Sequence, residues 1–229
     1  MRVLVIGDIH GCFRALVTLA EATRITPDDL IVTLGDYVDR GPNSYAVLNW
    51  VIAKSKTNTL VALRGNHELM MLRARTDPSQ IKEWLANGGD ATLASYSPLD
   101  DAGNIRDVPD EHWDFLENGC RDWYETETHF FVHANAYADV PLDEQPEFML
   151  FWEQFNDPPP HQSGKIMVCG HTSQKSGRPK SLGHAICIDT WAYGKGWLTC
   201  LDVATGHYWQ ANERGERRSD VLLQLRRPH

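Results

Sequence analysis

Long apolar runs, paired cysteines and an excess of positive charge are all missing from this sequence, and each absence removes a class of protein. No segment reaches the roughly 20 consecutive apolar residues of a membrane helix. The first apolar run, Val3 to Ile6, is cut off by Gly7-Asp8, so it does not read as a secretory signal. The cysteines number only five (Cys12, Cys120, Cys169, Cys187 and Cys200), with irregular spacing and no Cys-x-x-Cys. A disulfide framework or zinc ribbon is therefore not expected, and the cytoplasm is the expected compartment. Lys and Arg number 22 against 31 Asp and Glu, a formal charge of -9. That balance argues against a protein that grips nucleic-acid polymers or anionic membranes through its net field. It does not exclude an anionic substrate, because bound metal ions would reverse the sign locally.

What is present is the composition of a folded chain, 42% hydrophobic and 23% charged, so wholesale disorder is not expected. The length of 229 residues suits one domain, and no repeat or low-complexity run divides it. The first third alternates. Short β-branched strands at Arg2 to Ile6, Leu30 to Leu34 and Leu60 to Leu63 each precede a helix-spaced segment: Phe13 to Thr23, Tyr45 to Ala53, and one through Leu69, Met70 and Leu72. This order predicts a mostly parallel sheet with right-handed crossovers. The middle reads as helical at Ser79 to Ala86, Asp90 to Tyr96 and Glu111 to Glu117, a helical insert around residues 75–120. Strands return at Phe130 to Val132, Ile166 to Val168, Ala185 to Ile188, Leu198 to Val203 and His207 to Gln210, with Thr205-Gly206 as a hairpin turn. Trp50, Trp84, Trp113, Trp123 and Phe115 sit at helical or strand spacing and read as core.

The chemistry lies at the strand ends. Gly7-Asp8-Ile9-His10-Gly11, Gly35-Asp36-Tyr37-Val38-Asp39-Arg40-Gly41 and Arg64-Gly65-Asn66-His67-Glu68 follow the first three strands. His133-Ala134-Asn135 and Gly170-His171-Thr172 follow two later ones. Ligands of open α/β sheets bind beyond the carboxyl ends of the strands, so these clusters should converge. Asp8, His10, Asp36, Asn66, His133 and His171 form a mixed nitrogen and oxygen donor set without cysteine. Such a set suits Mn, Fe or Zn better than Ca or a structural zinc. Taken singly, each motif has an ordinary reading. Asn66 and Glu68 could cap a helix, and His133 or His171 could be a satisfied structural histidine. Five such motifs in order on strand ends make an active site the better reading.

Together the strings 7–11, 35–41, 64–68, Val132-His133-Ala134 and Gly170-His171-Thr172 resemble the metallophosphoesterase superfamily, and within it the PPP-type phosphatases and their bacterial and phage relatives. The resemblance implies an α/β, four-layer sandwich of two mixed sheets flanked by helices. It implies two divalent ions, manganese foremost with Fe, Zn or Ni as alternatives. Asp8, His10 and Asp36 would hold one; Asp36, Asn66, His133 and His171 would hold the other. A hydroxide shared by the ions would attack phosphorus in line. Arg40 and Arg64 would bind phosphate oxygens, and His67 would protonate the leaving alkoxide with Asp39 supporting it. A salt bridge to Arg40 is the competing role for Asp39. The implied substrate is a phosphorylated protein or small phosphoester, foremost phosphoserine or phosphothreonine. Hydrolysis of diadenosine tetraphosphate is the alternative within the family, and a catalytically silent metal-binding module the remote one. One departure stands out: many relatives carry an arginine shortly after a Trp where this chain has Phe151-Trp152-Glu153-Gln154. Arg178 is one candidate replacement, and Trp191 or Tyr193 could line the rim.

Overall fold

The alternating segments of the first third become one sheet, and the later strands build a second behind it. The structure is a computed structural model and describes residues 2–57, 59–97 and 102–222. In chain order β1 (Val3–Ile6), α1 (Phe13–Thr23), β2 (Leu30–Thr33), α2 (Ser44–Ser55), β3 (Leu60–Ala62) and α3 (Asn66–Thr76) come first. A helical run follows: a 3₁₀ turn Pro78–Gln80, α4 (Ile81–Trp84), a π turn Leu85–Gly89 and α5 (Asp90–Tyr96). It ends with a 3₁₀ turn Ile105–Asp107, α6 (Asp110–Asp114) and a π turn Phe115–Gly119. The remaining elements are β4 (Trp123–Glu125), β5 (His129–Val132), a 3₁₀ turn Leu142–Glu144, α7 (Glu147–Phe151), β6 (Ile166–Cys169), β7 (Lys180–Ser181), β8 (Ala185–Cys187), β9 (Leu198–Asp202), β10 (His207–Ala211) and β11 (Arg217–Val221).

The first sheet runs β11-β10-β9-β1-β2-β3 and the second β4-β5-β6-β8-β7. Both are mixed: β1, β2 and β3 pair in parallel, as do β5, β6 and β8, while the other pairs are antiparallel. Side chains alternate across each strand, which sorts the core into layers. Leu4 and Ile6 of β1 face α1 and α2, through Leu16, Leu19, Val47 and Val51. Val5 and Val32 meet Phe131, Val168 and Ile186 between the sheets. Phe130, Val132 and Met167 pack outward against Leu142, Leu150, Phe151 and Phe155. Two mixed sheets flanked by helices therefore result, although the layer over the second sheet is thin, with α7 its only α-helix among the described residues. No helix of the described residues is long and apolar enough to cross a membrane.

Several details differ from expectation. Ser79 to Ala86 is not one helix; the segment tightens into 3₁₀, then loosens into a π turn at Asn87-Gly88-Gly89, where Gly88 adopts φ 104. Strand β11 carries Arg217, Arg218, Ser219, Asp220 and Val221, all exposed, so no apolar alternation betrays it. Charge on an edge strand deters pairing with another chain. β4, β7 and α7 are too short to show a period. Part of the loop at 97–110 lies outside the described residues.

One buried group outside the strand-end clusters makes stability pH-dependent. His129 lies beside Phe131 with the rings stacked at 6.4 Å, and its Nε2 is buried without a hydrogen-bond partner among the described residues. Burial pushes its pKa down to about 4. Above the unfolded value near 6.5 both states are neutral and stability is at its full value. Between pH 6.5 and 4 only the unfolded chain takes up the proton, so stability is lost as pH falls, by about 2 kcal/mol at pH 5. Urea unfolding at pH 7.5 and 5 should show a larger acid loss for the native chain than for His129→Leu; equal losses would exclude this role.

Candidate active site

The strand-end loops converge, and the backbone explains how. The N–H groups of Ile9 and His10, after β1, both donate to the carbonyl of Asp36, after β2, at 3.0 and 2.7 Å. Gly170, after β6, donates to the carbonyl of His133, after β5, at 2.8 Å. Glu68, in the first turn of α3, accepts from the N–H groups of Gly65, Asp36 and Tyr37, each at 2.8 Å. It thus caps its own helix and fixes the β2 loop with the same carboxylate. Burial, then the charge of Asp36, pushes Glu68 up to about 7 against the pull of these N–H groups. Five non-glycine site residues take left-handed backbone angles: His10, Asp36, Asp39, Arg40 and His171. Each costs roughly 1–2 kcal/mol, a strain typical of functional loops. Gly65 is obligatory here, because a Cβ on it would overlap the Asp36 carboxylate and N–H.

Six of the expected ligands meet in one buried cluster. Asp36 Oδ2 lies 3.3 Å from His10 Nε2, and Asp36 Oδ1 lies 3.5 Å from His133 Nε2. Asn66 Oδ1 lies 2.9 Å from His133 Nε2 and 3.2 Å from His171 Nδ1. Asp8 Oδ2 accepts the His171 N–H at 2.9 Å, whereas Asp8 Oδ1 is buried with no hydrogen-bond partner among the described residues. The groupings His10–Asp36–His67 and Asp8–Asp36–His133 each bring three donor atoms close enough for one ion, with Asp36 common to both. The expected sets, Asp8–His10–Asp36 and Asp36–Asn66–His133–His171, also share Asp36; His67 was not among the expected donors.

Each imidazole is aimed by a backbone carbonyl. His10 Nδ1 donates to Val38 O at 2.9 Å, His133 Nδ1 to Leu34 O at 2.8 Å, and His171 Nε2 to Trp152 O at 3.2 Å. In every case the opposite ring nitrogen faces the cluster with its lone pair, the outer-shell arrangement that orients metal ligands. Burial lowers the pKa of His133 and brings His171, with help from His133, down to about 4, so both are neutral donors at pH 7. His10 moves up: burial pulls it down, but the charge and hydrogen bond of Asp36, joined by the Val38 carbonyl, together prevail. Asp36 is held well below the usual carboxylate range: burial opposes this, but the imidazoles of His133, His67 and His10 prevail. Asp8 moves well above that range, through burial and the charges of Asp189 and Asp36. A buried carboxylate with an unpartnered oxygen, beside neutral imidazoles and an amide oxygen, fits divalent cations.

His67 stands beside this group, its ring edge-on to His10 at 4.7 Å. Its Nδ1 lies 2.6 Å from Asp39 Oδ2, so Asp39 serves His67, the favoured of its two expected roles. The Arg40 guanidinium is exposed, lies 3.0 Å from His10 Nε2 and covers the Tyr193 ring at 4.6 Å. Tyr193 is edge-on to His10 at 4.8 Å and thus at the site, with Trp191 packed behind it. Arg64, expected at the phosphate, pairs its guanidinium with Asp122 at 2.6 Å and donates to the carbonyls of Leu116, Glu117 and Cys120. Gln154 is exposed; its carbonyl accepts from Asn135. Arg178 is exposed near Tyr208 and Arg218, and the structure does not bring it to the cluster. Sequence reasoning missed two contributors, Trp84 and Thr92, which both donate to the Asp39 carboxylate.

Two sheets, two ions' worth of ligands and a histidine–carboxylate pair define a class. The sequence profile described as calcineurin-like phosphoesterase matches residues 1–207, and the chain belongs to that family. Serine/threonine-protein phosphatase 1 of Salmonella typhimurium is 47% identical over 89 residues, which cover 38% of this chain and 39% of that protein. A symmetrical bis(5'-nucleosyl)-tetraphosphatase of Salmonella paratyphi B is 42% identical over 73 residues, 31% of this chain and 25% of that protein. The matched stretches thus span well under half of these relatives. A crystal structure of a cold-active protein-tyrosine phosphatase from a psychrophilic Shewanella superposes with a TM-score of 0.64 at 18% identity. It covers 95% of this chain and 80% of that one, a likeness of fold.

Proposed function

We propose that this protein is a two-metal phosphoester hydrolase whose substrates are phosphorylated serine and threonine side chains. The observation that carries the reading is the buried, unpartnered oxygen of Asp8 within a cluster that shares Asp36 between two donor triplets. Asp8, His10 and Asp36 would hold one ion and Asp36, Asn66, His133 and His171 the other. Manganese is the first choice, and Fe, Zn or Ni also match a nitrogen and oxygen donor set. Such a pair supplies Lewis acidity to phosphoryl oxygens and lowers the pKa of a water molecule. The chain's own groups do the rest. Arg40, exposed beside the cluster, binds the phosphoryl oxygens and neutralises their charge. His67 gives its Nε2 proton to the leaving alkoxide, while Asp39 holds Nδ1 and supports the charged ring. Five buried cysteines without a disulfide support a reducing, cytoplasmic setting.

The longer match to a protein phosphatase favours phosphoprotein over nucleotide. Tyr193 agrees, since one face of its ring is covered by Arg40 and not offered to a purine. Hydrolysis of diadenosine tetraphosphate remains the second reading, on the strength of the tetraphosphatase match. Comparing kcat/KM for a phosphoserine peptide and diadenosine tetraphosphate, with manganese-loaded enzyme, separates them. The peptide should be the better substrate. A preference of about 100-fold or more for the nucleotide would reverse the ranking, and no turnover of either would sink both.

A further inference from the structure

Asp39 is held by far more than His67, and the extra partners come from the helical run, not from a strand end. The Trp84 indole N–H donates to both carboxylate oxygens, at 3.0 Å to Oδ1 and 3.1 Å to Oδ2. The Thr92 hydroxyl donates to Oδ1 at 2.7 Å and accepts the backbone N–H of Asp39, also at 2.7 Å. The Ser44 hydroxyl, 3.1 Å from that of Thr92, accepts from the same N–H at 3.2 Å. Trp84, Thr92, Ser44 and Asp39 are all at most 1% exposed. The next residue is clamped by the same turn: the Arg40 N–H donates to Gly88 O at 3.0 Å. Gly88, at φ 104, has no room for a Cβ against the Arg40 backbone. Residues 84–92 therefore fix two consecutive left-handed residues, Asp39 at φ 72 and Arg40 at φ 70.

We infer that Trp84 and Thr92 are positioning residues for leaving-group protonation: they lock the Asp39 carboxylate so that it aims His67. This rests on the proposed role of His67. A buried indole N–H needs an acceptor, and any carbonyl of the core would satisfy it. Here it is spent on the one carboxylate that holds the general acid. Three donors on one buried carboxylate leave it a single orientation and offset its burial. With the Trp84 and Thr92 donors removed, Asp39 can rotate, and the imidazole loses its aim.

A loss of aim has a signature that a loss of packing lacks. A good leaving group such as 4-nitrophenolate departs with little help from an acid, whereas an alkoxide needs the proton. Trp84→Phe and Thr92→Val keep most of the volume and delete the donors. Each should lower kcat for an alkyl phosphomonoester about 10-fold and for 4-nitrophenyl phosphate less than about 3-fold. Manganese content and circular dichroism confirm the fold, and either variant suffices if the other misfolds. Equal losses on the two substrates, or no loss on the alkyl ester, would overturn the inference. A second readout needs no turnover. The His67 Nδ1–H, 2.6 Å from Asp39, should give a downfield proton resonance that disappears in His67→Asn. Both variants should shift or broaden it, and an unmoved resonance would overturn the inference. If the native protein hydrolyses neither ester, the proposed function fails and the resonance still decides the positioning role.

Discussion

Replacing His67 by asparagine is expected to lower kcat for an alkyl phosphomonoester by about 10²-fold or more, the low end of what general acid catalysis contributes. The fold should survive, because the imidazole's polar contact in the interior is with the Asp39 carboxylate, which keeps its Trp84 and Thr92 donors. The loss should shrink for 4-nitrophenyl phosphate, whose leaving group needs no proton. His67 also lies near enough to His10 and Asp36 to count among their donor triplet. Metal content must therefore be measured alongside turnover. An unchanged kcat for the alkyl ester at full metal content would remove His67 from the chemistry.

The larger effect should follow from Asp36→Asn. This carboxylate belongs to both donor triplets and faces His10 and His133 from its two oxygens. The amide keeps the shape, loses the charge and presents an N–H donor at one of the two positions where an oxygen now meets a ring nitrogen. Turnover should fall on the order of 10³-fold or more, because loss of a shared ligand disturbs both ions, whereas loss of an outer-shell partner costs 10–100-fold. Steady-state assays at saturating manganese check this. A variant that recovered native turnover at higher manganese would show that Asp36 sets affinity alone.

The strand-end clusters were legible because parallel neighbours deliver their loops to the same edge of a sheet, and Asp8, His10, Asp36, Asn66, His67, His133 and His171 each follow one of the parallel strands β1, β2, β3, β5 and β6 within a few residues. Asp36 showed its position in the motif but not its left-handed backbone, which depends on Glu68 gripping the loop from α3. The partners of Arg64 were not legible because they lie up to 58 residues away: Asp122 and the carbonyls of the preceding π turn take its guanidinium. Trp84 reads as core from spacing, and it is core; its indole N–H reaches a carboxylate 45 residues back, which no local pattern encodes. The charged strand β11 was hidden for a different reason, since a fully exposed edge needs no apolar period.

Net charge also takes on a narrower meaning. A chain of -9 gathers the buried carboxylates of Asp8 and Asp36 at one point, and on the proposed function two divalent ions there would reverse the local sign. Counting those ions is the most direct test. Equilibrium dialysis of chelator-stripped protein against manganese, followed by assay of the same samples, should give two ions per chain and turnover that returns as they bind. Asp36→Asn should hold one ion or none. Phosphatase turnover that persists in the stripped protein, or full native turnover with a single ion bound, would contradict the two-metal site.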